Sequence, residues 1–526
     1  MKYKIIAFLC VIFCHENSFA LRDYTNHMFM LTRPVFDSIG INQTSWNDFA
    51  YKYQAPKKGM TFQICPIYAQ SYDNLENPAY FLFNGKKELV VAAGSPSNNF
   101  TTTPQGQMVI DPTLGQYTVP SFGRDILGQW IGVTSTHGST FTLQPRQRQA
   151  SVMIEILQDL KPMFENKFFH SWFIDIAIPI TWIENNIGFK GKADVAKAFS
   201  QPSFQFAKIL ECNHSSTRLT QAQISLGTKY ITEDDLHIIS STGLIVPLVE
   251  QDCNGALFLP IQGFNSHFVI NAQALFQFPI CKKSDNAISR ILFFFDFSNN
   301  FLMRNHQLRT YDLKDKPYSR YMKLYDRHKN ETVPAMNALT LRSRVEPFNI
   351  VNFATGFRFK YHDSMGEIGY ELWSHGSEVL TPEPKAGDDK YRWEDGRYGI
   401  AFINEDGVLA KINSTTGAVE ALSLTELGQT ASESTINFVA APDGQSYCCP
   451  TATFVQQNKY IDIRDLDRFS GGMRPTITHR GFASIGYGNK GVKRDLFANL
   501  GLFIEASQNN AALCLWGGWA KAGFTF

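Results

Sequence analysis

Between His267 and Ile280 the chain alternates without a break, and this alternation constrains the fold more than any other feature. Phe268, Ile270, Ala272, Ala274, Phe276, Phe278 and Ile280 fall on one side; Val269, Asn271, Gln273, Leu275, Gln277 and Pro279 fall on the other. A period of two puts the two sets on opposite faces of a sheet. One face then asks for an apolar surrounding and the other, rich in amides, for a polar one. A second stripe, Trp172, Ile174, Ile176, Ile178, Ile180 and Trp182, opposes Phe173, Asp175, Ala177, Pro179 and Thr181. Tryptophan at both ends is what two membrane interfaces would select. A hairpin repeats the pattern: Phe353, Thr355, Phe357, Phe359 and Tyr361 lead into a turn at His362–Ser364, and Ile368, Tyr370 and Leu372 lead back. On its wet face Arg358 and Lys360 are expected to pair with Glu371 and Glu367 across the strands. A soluble sheet with one face in a core would alternate in the same way, so the two ends of the chain have to separate the readings.

At the carboxyl end, Phe526, Phe524, Ala522, Ala520, Gly518 and Trp516 share one face, with Thr525, Gly523, Lys521, Trp519 and Gly517 on the other. A soluble domain has little reason to bury its last ring, because termini usually fray. At the amino end, Met1 to Ala20 reads as a secretory signal peptide. Lys2 and Lys4 open it, Ile5 to Cys14 is its apolar stretch, and Ser18-Phe19-Ala20 is a small-x-small cleavage site, with cleavage expected after Ala20. Cys10 and Cys14 follow Leu9 and Phe13, which does not fit lipid attachment. Beyond it, the richest apolar stretch, Ile288 to Phe297, is broken by Arg290 and Asp296, so spanning helices are not expected.

The signal peptide, the alternating strands and the final Phe526 together resemble the porin-like β-barrels of bacterial outer membranes. Their closing strands often carry Gly where this chain has Lys521. The resemblance implies an all-β chain folded as a closed antiparallel transmembrane barrel, with a short helical N-terminal segment and long loops. Strands are expected at Thr61–Ser71, Ser139–Leu157, Trp172–Trp182, Leu219–Tyr230, Ile238–Leu248, His267–Ile280, Arg290–Asn300 and Tyr318–Tyr325. Further strands are expected at Phe353–Tyr361, Ile368–Leu372, Arg397–Ile403, Pro475–Tyr487, Leu496–Ala506 and Ala511–Phe526. This is about fourteen, within a range of about 12–18. The domains follow: 1–20 signal peptide, 21–60 an N-terminal periplasmic or plug segment, helical near Trp46–Tyr53, and 61–526 the barrel. Residues 83–137 and 373–446 are read as loops or lumen insertions, and Ser507–Asn510 as a short periplasmic turn. Asn271, Gln273, Gln277, Arg358, Lys360, Glu367, Glu371 and Lys521 are assigned to the lumen. Trp172, Trp182, Phe268, Phe276, Phe278, Phe357, Phe359, Phe524 and Phe526 are assigned to lipid or its aromatic girdle. The implied location is the outer membrane of a diderm bacterium. The implied partners are outer-membrane lipid and, through the last strand, the barrel-assembly machinery. A narrower resemblance is to the outer-membrane long-chain fatty-acid transporters, which have about fourteen strands, an N-terminal hatch comparable with 21–60, and an Asn-Pro-Ala motif matched by Asn77-Pro78-Ala79.

Composition removes other classes. The chain has 49 basic and 48 acidic residues; losing Lys2, Lys4 and Glu16 with the signal leaves 47 of each. Nucleic acid is therefore not an expected partner. The cysteines left after the signal, Cys65, Cys212, Cys253, Cys281, Cys448, Cys449 and Cys514, form no metal or redox spacing, though Cys212 and Cys253 could staple a loop. Gly486-Tyr-Gly488-Asn-Lys-Gly491 fits G-x-G-x-x-G, but a strand follows it and not a helix, so it reads as a turn. Asp465-Leu-Asp467 fails the EF-hand pattern at Ser470 and Thr476, leaving at most a loose calcium site. No catalytic, cofactor or metal residues are assigned, and an enzyme is not expected. The function expected is a porin-like channel for diffusion of small solutes. The alternatives are a plugged transporter of hydrophobic ligands and a surface-exposed barrel for binding or adhesion.

Overall fold

The computed structural model describes residues 28–44, 59–72, 138–163, 171–231, 236–249, 255–282, 289–400 and 461–525, apart from isolated positions and short turns, with fragments of 80–133 and 402–421. The signal peptide, Trp46–Tyr53, Asn77–Ala79, Cys253 and Phe526 lie outside the described residues.

Twelve strands form one closed antiparallel barrel. They are β1 (Met60–Ser71), β2 (Arg146–Asp159), β3 (Trp172–Asn186), β4 (Gln221–Ile231), β5 (His237–Pro247) and β6 (Val269–Lys282). The remainder are β7 (Ser289–Leu302), β8 (Ile350–Tyr361), β9 (Ser364–His375), β10 (Thr476–Asn489), β11 (Asp495–Ser507) and β12 (Leu515–Thr525). Each pairs with its neighbours in the sequence, and β12 closes on β1 from Thr61↔Thr525 to Ser71↔Leu515. Closure removes the free edges that an open sheet would leave.

The count is twelve, not fourteen. Tyr318–Tyr325 and Arg397–Ile403 are not wall: parts of them, Lys323–Asp326 and Tyr398–Ile400, pair in a small sheet outside the barrel (Leu324↔Ile400). Lys323, Leu324 and Asp326 are all buried, so this strand is covered on both faces and does not present one face to an apolar exterior. Ser139–Leu157 divides at Gln144-Pro145; only its second part enters the wall, while Ser139–Leu143 pairs with Phe189–Gly191.

Every barrel strand turns apolar side chains outward. Ile64, Val152, Ile180, Ile224, Leu244, Ile270, Phe301, Phe357, Ile368, Ile485, Leu502 and Trp516, one from each strand, are all exposed, and Ile485 and Leu502 reach 70 %. Outward phenylalanines form ladders across the sheet. Phe293 stacks on Phe278 at 5.8 Å and meets Phe357 edge-to-face at 5.7 Å; Phe276, Phe295 and Phe353 pack at 6.0 and 4.7 Å. Aromatic pairs of this kind stabilise adjacent strands.

The two ends of the barrel differ. At one, short turns join β4 to β5, β6 to β7, β8 to β9 and β10 to β11, and β1 begins there. At the other, long connections fold into small sheets that cap the barrel, such as Asn305–Thr310 with Thr340–Glu346 and Val379–Pro382. Tyr311, Tyr318, Tyr321, Met322 and Leu339 are wholly buried there, and one apolar cluster continues from the cap into the barrel. The turn after Ser507 lies at this capped end and not with the short turns at the other, because β11 runs towards the cap. The loop expected from residue 373 starts later, since Trp373 to His375 complete β9.

Candidate functional site

Residues 28–44 run through the lumen from the cap towards the short-turn end. At the cap, Met28 N donates to Ser470 O at 3.1 Å and Tyr80 Oη donates to Phe29 O. At the other end Lys521 holds Thr44. The segment is not a second core. Its apolar residues alternate irregularly with Thr32, Arg33, Asp37 and Ser38, and those polar groups meet the inner wall.

Arg33 is the centre of the contact. Its guanidinium donates to Glu371 Oε1 at 2.7 Å, to Asn352 Oδ1 at 3.1 Å and to Glu505 Oε2 at 3.5 Å. Arg480, on the neighbouring strand, also donates to Glu505 and lies 3.5 Å from Glu371. Two arginines and two carboxylates, all with almost no exposed surface, thus close a ring between the segment and β9, β10 and β11. Burying such charges is costly unless they are paired and hydrogen-bonded, and here each has partners. Asp37 accepts from Asn352 Nδ2 at 3.0 Å and Trp373 Nε1 at 2.9 Å, and Gln149 both donates to Arg33 O and accepts from Val35 N.

Helix α1 (Ile39–Gln43) follows the turn at Pro34–Asp37. Ser38 caps it: its Oγ accepts from Ile41 N at 3.2 Å and donates to Glu371 Oε2 at 2.7 Å. At the far end Lys521 Nζ donates to the carbonyls of Ile41, Asn42 and Thr44 at 2.8, 3.0 and 2.8 Å. A cation on the last carbonyls of a helix satisfies them and complements its dipole. Lys521 thus anchors the end of α1. Phe482 is wedged between the segment and the wall: a Cβ on Gly40 would lie 2.7 Å from its ring, and one on Gly369 2.4 Å.

Of the residues assigned to the lumen, Asn271, Gln277, Arg358, Glu367, Glu371 and Lys521 are buried on the inner face, while Gln273 and Lys360 are half-buried. The structure divides them into groups. Glu371 belongs to the ring around Arg33. Arg358 instead pairs with Glu367 at 3.2 Å and donates to Gln277 Oε1 at 2.7 Å, with Asp296 at 3.7 Å. The expected Arg358–Glu371 pair does not form, because the two-residue turn after Tyr361 sets Arg358 opposite Glu367 and Ala354 opposite Glu371. Of the outward set, Phe268, Phe278, Phe357 and Phe359 are exposed by 39–46 %, and Trp172, Trp182, Phe276 and Phe524 are half-exposed.

Sequence reasoning missed Arg33, Asp37 and Ser38. The one signal available was a single charge, Arg33, set in a mostly apolar run, Met28 to Phe36, with Asp37 directly after it. The acids at Asp462 and Asp465 form a capping box on a short 3₁₀ turn, and among the described residues no group of three His, Cys, Asp or Glu side chains gathers to hold a metal. Gly486 and Gly488 lie within β10, and Cys212 is free.

A cavity of about 650 Å³, partly open to solvent, lies between α1 and the wall of β2 to β7. Asp37, Glu155, Asp175, Gln43, Asn271 and Gln273 are among its lining groups.

No family model matches the chain, and no curated protein matches it. Two solved structures align over most of its length. An outer-membrane channel from Pseudomonas putida F1 is 9 % identical, with 90 % of this chain and 97 % of its own covered and a TM-score of 0.34. The transport unit of the autotransporter AIDA-I from Escherichia coli is 7 % identical, with 94 % and 99 % covered and a TM-score of 0.20.

Proposed function

We propose that the protein is an outer-membrane barrel that passes small polar solutes, held closed in this conformation by its own residues 28–44. The observation that carries this reading is the character of the inner wall. Arginines, carboxylates and amides line it, and part of their hydrogen bonding is met by one polar segment of the chain. A barrel built only for adhesion has no need of a polar interior bonded to a removable strand of chain, and a carrier of hydrophobic ligands would favour an apolar one. The outward ring of Ile, Leu, Phe and Trp on all twelve strands supports insertion in lipid, since only a closed barrel or a helix satisfies its backbone there. Export through the signal peptide with cleavage after Ala20, and assembly guided by β12, belong to the same reading.

Current across a planar bilayer tests it. The wild-type protein should show little steady current, with rare openings. Arg33→Ala removes one of two cations from the Glu371–Glu505 ring and should raise the open fraction about tenfold, the effect of ~1.4 kcal/mol on a two-state equilibrium. Heat-modifiable migration on a gel confirms that the variant has assembled. Silence from both proteins would replace this reading with the surface-binding one.

A further inference from the structure

We infer that the cavity between α1 and strands β2 to β7 binds a small organic cation, an alkyl chain carrying protonated amines. The inference rests on the reading of the barrel as a solute passage and names the class of solute. Three carboxyl groups, Asp37, Glu155 and Asp175, line the cavity, and no lysine, arginine or histidine does. Arg33 and Lys521 act on Asp37 and Glu155 through their charge, but their donors bond other groups: Arg33 bonds Glu371, and Lys521 the carbonyls at the end of α1.

The second observation is the direction of the neutral groups. Asp37 can only accept, so Asn300 turns Nδ2 towards it, at 3.4 Å. Asn300 Oδ1 then accepts from Asn271 Nδ2 at 2.6 Å. This relay leaves Asn271 Oδ1 with no partner among the described residues, although Asn271 is only 3 % exposed. Gln43 Oε1, on α1, has none either, and Gln43 is 6 % exposed, whereas the Asp175 carboxyl is hydrogen-bonded to that of Glu155. The unsatisfied atoms of the cavity lining are therefore oxygens, and buried oxygens without donors are costly. A ligand that satisfies them must donate.

An amine fits this better than a metal ion. A metal needs its oxygens to converge at about 2.3–2.6 Å, and no three His, Cys, Asp or Glu side chains gather to hold one among the described residues. Here the acceptors sit on three elements, Gln43 on α1, Asp175 on β3 and Asn271 on β6, with Phe36 and Phe264 also lining the cavity. Spread acceptors with apolar surface between them suit two ammonium groups joined by methylenes.

Calorimetry on the full-length protein in detergent micelles decides the matter. 1,4-Diaminobutane should give saturable heat with one site, while neutral 1,4-butanediol and dianionic succinate give none. Asp175→Asn and Gln43→Leu should each weaken the diamine at least about tenfold, as expected for loss of a hydrogen bond to a charged group. Gln43→Leu leaves the wall intact, so it reads the site even if Asp175→Asn fails to assemble. No heat with the diamine, heat with calcium in its place, or undiminished affinity in Gln43→Leu would overturn the site. Diamine binding without any bilayer current would keep the site and remove the passage; current without diamine binding would do the reverse.

Discussion

Arg480 makes the clearest case at the scale of single residues. It sits with no exposed side-chain surface beside Glu505 and Glu371, and Arg33 supplies the second positive charge from the segment. Removing one member of a buried ionic group strands the others, which costs about 3–5 kcal/mol. Arg480→Met should therefore lower stability by about that much, read as a shift of the urea midpoint for the protein in vesicles. Arg148, paired with Glu184 at 3.6 Å but half exposed, is the comparison: Arg148→Met should change the midpoint by no more than ~1 kcal/mol. Equal effects would mean that the ring around Arg33 is solvated. At this scale the sequence was only half informative. Glu371 and Lys521 were legible as inward residues, because alternation alone decides which face a strand residue occupies. Arg33 and Ser38 were not, because a segment without period carries no sign of which wall, more than 300 positions away, it will meet.

Single strands show how far alternation goes and where it stops. In β6, Phe276 faces out against Phe295, and Gln277 faces in against Arg358. Phe276→Lys puts a charge on the apolar exterior, at about 2–4 kcal/mol if it lies at the midplane. Gln277 is the sharper probe. Its Oε1 accepts from the Arg358 guanidinium at 2.7 Å, so Gln277→Lys sets two cations together, whereas Gln277→Glu gives Arg358 a further carboxylate. The folded fraction should fall for Gln277→Lys and stay near wild type for Gln277→Glu. The reverse order would place Arg358 away from β6. The alternation of β6 was visible in the sequence; its cross-strand partner was not, since that depends on β7 standing between β6 and β8. The same limit explains the strand count. Lys323–Asp326 and Tyr398–Ile400 pair with each other in the cap, and a strand-like sequence cannot report which sheet a strand will join.

The whole molecule is asymmetric, and its asymmetry predicts an orientation. Short turns gather at the end where β1 begins, and the long connections build a cap at the other. In outer-membrane barrels the short turns face the periplasm and the long connections face outside. The segment 28–44 then descends from the outer cap to the periplasmic end of the lumen, so a solute entering from outside meets the cap first and the Arg33 ring after it. Cys212 provides a native reporter. It is a free, exposed thiol on the connection between β3 and β4, at the capped end. Asp363, exposed in the turn between β8 and β9, marks the opposite end. A membrane-impermeant maleimide added to intact cells should label Cys212 in the wild type and leave Asp363→Cys unlabelled; both should react once the outer membrane is opened. Mass spectrometry of the peptides assigns each label to its position. Labelling of the residue-363 thiol but not Cys212 in intact cells would invert the barrel, and residues 28–44 would then close it from the outside.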